Sequence, residues 1–465
     1  MKSFFLAVFT LFGSIYFFSC NSGSNKPTGK KADMIVKGGV ILTMDSSFQK
    51  FENGFIIIDQ GEIIELGKDT SILNQYYSDK TIDAGGKLIL PGLINTHTHV
   101  PMTLFRGMAD DLPLDEWLQN HIWPAEAKYI NQETVYTGTN LAVAEMIRGG
   151  ITTFNDMYFF EEEVALAASR AGIRAFVGEG LIDFPSPNSK TPEEAIQYTE
   201  MLIKKWAQHP LITITIAPHS PYASSEELLK KAKELADRHQ KLLHIHLSET
   251  EKEVNDMVKA RRMSPVAYLK QIGVLDSNVV AAHCVHLSSK DIELLLETKT
   301  SVAHNPQSNM KLASGIAPVP QMLAKGVTVG LGTDGAASNN DLSLWEEMNS
   351  AALLHKVAGK DPTIMNSREV LAMATIGGAR VLGVGDKIGS LERGKKADLI
   401  IINLNQPHLS PVFNYYSHAV YSIDAGDVND VIIEGKEVLR NRKLITIDEA
   451  EMLEDVKRIA AQIQE

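Results

Sequence analysis

The sequence predicts an α/β chain, a (β/α)8 TIM barrel with a small β-sandwich domain built from both chain ends. Three observations predict it. Eight strand-like runs alternate with helical patterns over roughly 250 residues, the usual length of such a barrel. Short strands punctuated by turn signals precede and follow that stretch. Histidines and carboxylates fall at the C-terminal ends of the strand-like runs, where a parallel barrel carries its chemistry.

The elements justify themselves in chain order. In residues 1–19, Met1-Lys2-Ser3 leads into an apolar run from Phe4 to Phe18 broken only by Ser, Thr and Gly. That run is short for a membrane span and has the shape of a signal peptide. A small residue before Cys20, then a Ser/Gly/Asn/Lys tether over 20–32, resembles a bacterial lipoprotein signal. Cys20 is therefore the expected lipidation site, and the protein is expected to be exported as a periplasmic or cell-envelope lipoprotein. With Cys20 acylated, Cys284 lacks a partner and no disulfide framework forms. Residues 33–91 open the β-sandwich, with strands over Ile35 to Met44, Phe55 to Ile58 and Glu62 to Leu66 between Gly-containing turns. Residues 92–387 form the barrel, with strands at Leu93–His99, Ile151–Met157, Arg174–Ile182, Ile212–Ser220, Lys241–Glu249, Val279–Leu287, Thr300–Asn309 and Val327–Gly335. Between them, Ser224–His239 and Ser288–Thr298 carry helix caps and 3.6-residue apolar spacing. Residues 388–447 return to β signals and complete the sandwich, and 448–465 form a terminal helix.

Composition limits the function classes. Hydrophobic residues make up 44% and charged residues 22%, ordinary values for a chain with a full core. A formal charge of −12 argues against nucleic acid or an anionic membrane surface as the main partner. A membrane enters only through the N-terminal lipid anchor.

Four strand ends carry metal-binding side chains. Leu93-Ile94-Asn95-Thr96-His97-Thr98-His99 places two histidines on one face of a strand, because alternate residues share a side. His246 is followed three residues later by Glu249, His283 ends the sixth run, and Asp334 ends the eighth. Three imidazoles and one carboxylate suit one divalent ion, Zn²⁺ first and Fe²⁺ as the alternative, with a position left for water. Such a site makes hydroxide available near neutral pH and reads as a hydrolase.

The series Pro91-Gly92-Leu93-Ile94-Asn95-Thr96-His97-Thr98-His99, His246-x-x-Glu249, Ala282-His283 and Gly332-Thr333-Asp334 resembles the amidohydrolase superfamily. Within it, Asp111-Leu112-Pro113-Leu114-Asp115-Glu116-Trp117-Leu118, Trp123-Pro124-Ala125-Glu126, Ala217-Pro218-His219-Ser220-Pro221-Tyr222 and His304-Asn305-Pro306-Gln307-Ser308-Asn309 resemble the 5'-methylthioadenosine/S-adenosylhomocysteine deaminase branch. The resemblance runs from Asp33 to about Thr446. It implies that His97, His99, His246 and Asp334 hold one metal per subunit. Binuclear relatives carry a lysine at the end of the fourth strand, and this chain has Ala217-Pro218-His219 there. The resemblance further implies that Glu249 is the acid–base group, His283 orients the nucleophile and stabilises the oxyanion, and Asp334 moves a second proton. Glu249 and Asp334 would then contact the substrate as well.

The same resemblance implies a purine nucleoside as substrate, with Glu126 and His219 at its ribose. A buried carboxylate needs donors, and a cis-diol supplies two. Family members carry an arginine after the third strand for an amino-acid carboxylate. Here the loop from Leu181 to Ser189 has none, which favours methylthioadenosine or adenosine over S-adenosylhomocysteine. The 5' substituent is expected in an apolar mouth of Met102, Leu104, Phe105 and Leu114. Lys190, or an arginine from a neighbouring subunit of a homo-oligomer, is the alternative source of charge. Guanine-, oxidised-purine- and triazine-type aminohydrolases share the metal site and stand as the other enzyme reading, and a non-catalytic binding lipoprotein is the reading from a different class. His244 and His286 are expected to be structural, and Asn305, Ser308 and Asn309 to brace the loop after the seventh strand.

Overall fold

The computed structural model describes Met1 and residues 29–464. Cys20 and the signal-like stretch lie outside the described residues. Among the described residues no helix is long and apolar enough to cross a membrane.

Eight parallel strands form the barrel: β1 (Leu93–Thr98), β2 (Ile151–Tyr158), β3 (Arg174–Leu181), β4 (Ile212–Ile214, resumed at Ala217–Pro218), β5 (Leu243–Leu247), β6 (Val279–His283), β7 (Ser301–His304) and β8 (Val329–Leu331). They pair in chain order within two sheets. Ile216 bridges to Leu243 in parallel at one seam. At the other, Thr96 Oγ1 donates to the Leu331 carbonyl at 2.8 Å, and the Asp334 N–H donates to the His97 carbonyl at 3.0 Å. Runs such as Leu243–Leu247 and Val279–His283 are buried throughout, as expected of strands covered on both faces. The intervening helices start within a residue of the expected caps: Ser225, one residue beyond Ser224, accepts from Leu228 N, and Ser288 forms a capping box with Asp291.

Several strands are shorter than the sequence suggests, the fourth broken into Ile212–Ile214 and Ala217–Pro218 and the eighth reduced to Val329–Leu331. The seventh stops at His304 because Pro306 has no N–H for a ladder and starts the helix Pro306–Lys311 instead. The fifth and sixth stop at Leu247 and His283, where Ser248 (φ 53°), His283 (φ 70°) and Cys284 (φ 49°) turn into the left-handed region. Those turns aim the site residues over the barrel mouth. The opposite end is plugged by Ile376, Ala379, Val381 and Ile388, packed on Ile94, Phe176, Val280 and Ala303.

Both chain ends build one nine-stranded sheet, in which Leu399–Asn403 lies antiparallel to Lys87–Pro91 on one side and Val428–Ile433 on the other. Period-2 alternation decides its two faces. Ile89, Leu399 and Ile401 join Met34, Val36, Ile56 and Ile58 in the sheet's own core. Leu88, Leu90, Ile400 and Ile402 belong to the main core shared with the barrel. The two layers are a single curled sheet, since Glu62–Gly67 returns to residues 394–397 through Ile63 N–H to Lys395 O (2.9 Å) and Gly394 N–H to Ile63 O (2.8 Å). Lys30–Lys31, assigned from sequence to the tether, pairs in parallel with Tyr76–Tyr77. A two-residue strand has no hydrophobic period to read. The terminal helix Glu449–Gln464 starts after Asp448, whose carboxylate accepts from Ala450 N and Glu451 N. Arg148–Glu449 (2.6 Å) and Arg458–Glu133 (2.8 Å) tie it to the helix Gln132–Arg148.

Arg174, at the start of β3, locks the barrel to the sheet. Its guanidinium meets the buried Asp398 carboxylate at 3.1 Å, and that carboxylate also accepts from Glu434 N at 2.7 Å. Removing one partner of a buried pair strands the other charge. Arg174→Ala is expected to cost about 3 kcal/mol of stability in urea unfolding. A loss below about 0.5 kcal/mol, the range of an exposed pair, would contradict this.

Candidate active site

Three imidazoles and one carboxylate converge above β1, β5 and β8. His97 Nε2 and His99 Nε2 each lie 3.2 Å from Asp334 Oδ1, and His246 Nε2 lies 3.3 Å from His99 Nε2. The outer ring nitrogens are committed. His99 Nδ1 faces the Met157 carbonyl, His246 Nδ1 the His219 carbonyl at 2.8 Å, and His97 Nδ1 the His244 Nε2 at 2.9 Å. Donation from each Nδ1 turns each Nε2 into a lone pair aimed inward, the arrangement that ligating histidines adopt. His97 Nε2 is buried with no hydrogen-bond partner. Lone pairs and a carboxylate oxygen facing one another at these distances require positive charge between them. The donor set fits a divalent cation of the zinc class.

The electrostatics report the same demand. Burial lowers His99, but the hydrogen bond and charge of Asp334 outweigh it and lift the ring to about 9. Burial raises Asp334, yet the close imidazoles of His97 and His99 hold it well below the usual carboxylate range. Burial pushes His97 down to about 4 against the pull of Asp334. These opposed shifts all arise from donors crowded around one point, where a bound cation would compete with protons.

Glu249 and His283 face this group. His283 Nε2 is 3.9 Å from Glu249 Oε2, and both residues are buried. Glu253 fixes the turn that carries Glu249 by accepting from Ser248 N (2.9 Å) and Glu249 N (2.8 Å). Burial raises the Glu249 carboxyl, suiting it to take and return a proton. Two amides face His283 Nδ1, Asn309 Oδ1 at 2.9 Å and Asn305 Nδ2 at 3.4 Å. The tautomer in which Nδ1 accepts from these amides leaves the ring proton on Nε2, toward Glu249. Asp334 Oδ2 accepts from Ser308 Oγ at 2.7 Å and Ser338 Oγ at 2.9 Å.

These groups form one end of a cavity of about 380 Å³. Glu126 and His219 line it as the sequence predicts. Burial raises Glu126 to about 7, opposed by the neighbouring Tyr158 hydroxyl, and lowers His219 to about 3 with help from the nearby imidazoles. A buried carboxylate at such a wall calls for donors from a ligand. Among the described residues no lysine or arginine lines the cavity.

The mouth departs from expectation. Met102 and Leu114 line it, but Leu104 and Phe105 do not. The 3-10 turn Val100–Phe105 directs Phe105 into the main core and Leu104 against Gly138. The apolar wall comes instead from Trp117, Leu118, Ile122 and Trp123, facing Phe184 and Pro185, with the Trp123 and Phe184 rings 5.4 Å apart. Lys190 is exposed and outside the cavity. His286 is structural, its Nε2 2.6 Å from the Ser314 carbonyl. Ser308 and Asn309 do more than brace a loop, since they hold Asp334 and His283. Tyr158, Phe184, Ser338 and Glu253 were not singled out from sequence, and none stands in a motif.

The Amidohydrolase family model matches residues 88–438. A 5-methylthioadenosine/S-adenosylhomocysteine deaminase of Syntrophobacter fumaroxidans is 51% identical over 434 residues, covering 93% of this chain and 99% of the relative. A 5'-deoxyadenosine deaminase of Methanosarcina acetivorans is 46% identical over 434 residues, covering 93% and 98%. A crystal structure of an adenosine deaminase from Xanthomonas campestris with bound zinc superposes with a TM-score of 0.92 at 37% identity, covering 94% of this chain and 99% of that one.

The convergence of one donor set, with no lysine beside it, predicts one divalent ion per chain. Elemental analysis of purified protein should return about one ion, and His246→Ala should lower that content without unfolding the barrel. Two ions per chain, or an unchanged content in the variant, would contradict the assignment.

Proposed function

The chain belongs to the amidohydrolase family, and from that premise we propose that it removes the 6-amino group of adenosine-type nucleosides, giving an inosine-type product and ammonia. The observation that carries this reading is that Glu249, His283 and Glu126 line one cavity together with His99, His246 and Asp334 of the metal-type donor set. The names of the relatives support it.

His97, His99, His246 and Asp334 would hold the ion, and zinc is the proposed species, as found in the Xanthomonas structure. When bound, a divalent ion supplies a Lewis acid that lowers the pKa of water at the site to about 7. Glu249 takes a proton from the attacking water and delivers it to the ring nitrogen beside the amino-bearing carbon. The carbon–oxygen bond forms as that ring nitrogen gains its proton. His283 donates from Nε2 to the oxygen as negative charge develops on it. Asp334 accepts the remaining hydroxyl proton and passes it to the amino nitrogen, so that ammonia leaves as the carbon–nitrogen bond breaks. Ser308 and Ser338 keep one Asp334 oxygen occupied, which leaves the other to face the site.

Glu126 accepts from the ribose diol, with His219 beside it. The 5' substituent runs toward Trp123, Phe184 and Pro185, where a methyl or methylthio group replaces water against apolar surface. A zwitterionic tail meets no cation there, and a missing charge-assisted bond is worth about 1.5–3 kcal/mol. The N-terminal segment is read as a lipoprotein signal, with Cys20 the attachment point of an envelope enzyme.

Glu249→Gln should retain the ion and lose about 10²–10⁴-fold in kcat; near-normal turnover would remove Glu249 from the chemistry. Ammonia release should favour 5'-methylthioadenosine over S-adenosylhomocysteine by about 10–100-fold in kcat/KM, and Glu126→Gln should lower that constant for nucleosides. Equal constants for the two substrates would overturn the assignment of the mouth.

A further inference from the structure

Glu347 lies on the helix Leu344–Gly359, fully buried and outside the cavity walls. Each of its two oxygens serves a different loop. Oε2 accepts from Gln307 N at 3.1 Å, at the start of the short helix that carries Ser308. Oε1 accepts from Asn339 Nδ2 at 2.9 Å, and the same amide donates to the Thr333 carbonyl at 2.8 Å. Asn339 follows Ser338 and Thr333 precedes Asp334. Ser308 and Ser338 are the two hydroxyls bonded to Asp334 Oδ2. One carboxylate thus sets the spacing of both loops whose serines hold the metal-facing aspartate.

We propose that Glu347 is a positioning residue for the metal centre, acting through Ser308 and Ser338 to orient Asp334. An acid buried beneath an already acidic site is costly to keep. Burial and the nearby Asp341 and Asp334 raise its carboxyl, and the Gln307 N–H opposes them. Apolar packing would fill the position at lower cost, but only a forked acceptor reaches both loops. Without it, Asp334 gains freedom to turn, and the donor set no longer presents one fixed carboxylate oxygen beside His97 and His99.

The inference rests on the proposed metal assignment but not on the identity of the substrate, so its first readout is zinc affinity, measured by competition with a chromophoric chelator. Glu347→Ala should weaken zinc binding by about 10–100-fold and shift the visible absorption of the cobalt-substituted protein. Glu347→Gln should recover only part of the loss, because its oxygen keeps one arm while its NH2 cannot accept from the other donor. In a Ser308→Ala/Ser338→Ala background, Glu347→Ala should cost little further affinity, since coupled residues are not additive. Asn339→Ala severs one arm alone and gives the same reading if Glu347→Ala does not fold. Unchanged zinc affinity in the foldable variants, or a full additive loss on top of the double serine variant, would overturn the proposal. Turnover of adenosine nucleosides by the unaltered protein is scored separately: its absence counts against the deaminase reading alone.

Discussion

The contact between the last barrel strand and the first is the constraint on which the site depends. At Gly332 a β-carbon would lie 2.8 Å from His97 N, 2.9 Å from His97 O and 2.5 Å from Asn305 Oδ1, so β8 can approach β1 this closely only with glycine there. The approach lets Asp334 N bond the His97 carbonyl and swings the Asp334 side chain, at φ 62°, over two imidazoles contributed by β1. Non-glycine residues in that conformation cost about 1–3 kcal/mol each, and Ser248, His283 and Cys284 share it at neighbouring strand ends. The barrel's packed lower core, with Phe176 and Ile376 among its members, supplies the rigidity that holds these turns.

The rest of the pocket divides labour by polarity. One end is crowded with lone pairs that demand a cation, and the other is a wall of tryptophan, phenylalanine, proline and leucine. Between them stand Glu249, His283, Glu126 and His219, the first three buried. Excluding water strengthens every charge interaction in such a site. Glu253 behind Glu249, Asn309 behind His283 and Ser308 and Ser338 behind Asp334 hold those charges in place before a substrate arrives.

Much of this was legible in the sequence because its signals are local. His97 and His99 share a face by the period of a strand, and His246, His283 and Asp334 end apolar runs of the right length. The cap at Ser288 marked a helix start for the same reason, and the start read at Ser224 lies one residue from the cap at Ser225. What stayed hidden depends on distant parts of the chain meeting. The π-helical segment Trp117–Ile122 widens its turn, so a 3.6-residue reading, which already pairs Leu118 with Ile122, does not show that Trp123 joins the same wall. Phe184 joins that wall from another loop. Leu104 and Phe105 looked equally suitable by composition, and only the direction of the turn after His99 excludes them. Glu347 reads as one more surface glutamate on a helix until the fold buries it.

The most direct test of the account is a spectrophotometric screen of zinc-loaded protein against 6-aminopurine nucleosides, free aminopurines, guanine and triazines. Steady conversion of the 6-amino nucleosides, abolished by chelation and restored by zinc, with free bases and triazines turned over far more slowly, is the predicted result. Faster turnover of guanine or a triazine than of any nucleoside, or conversion that persists in the chelated protein, would contradict it.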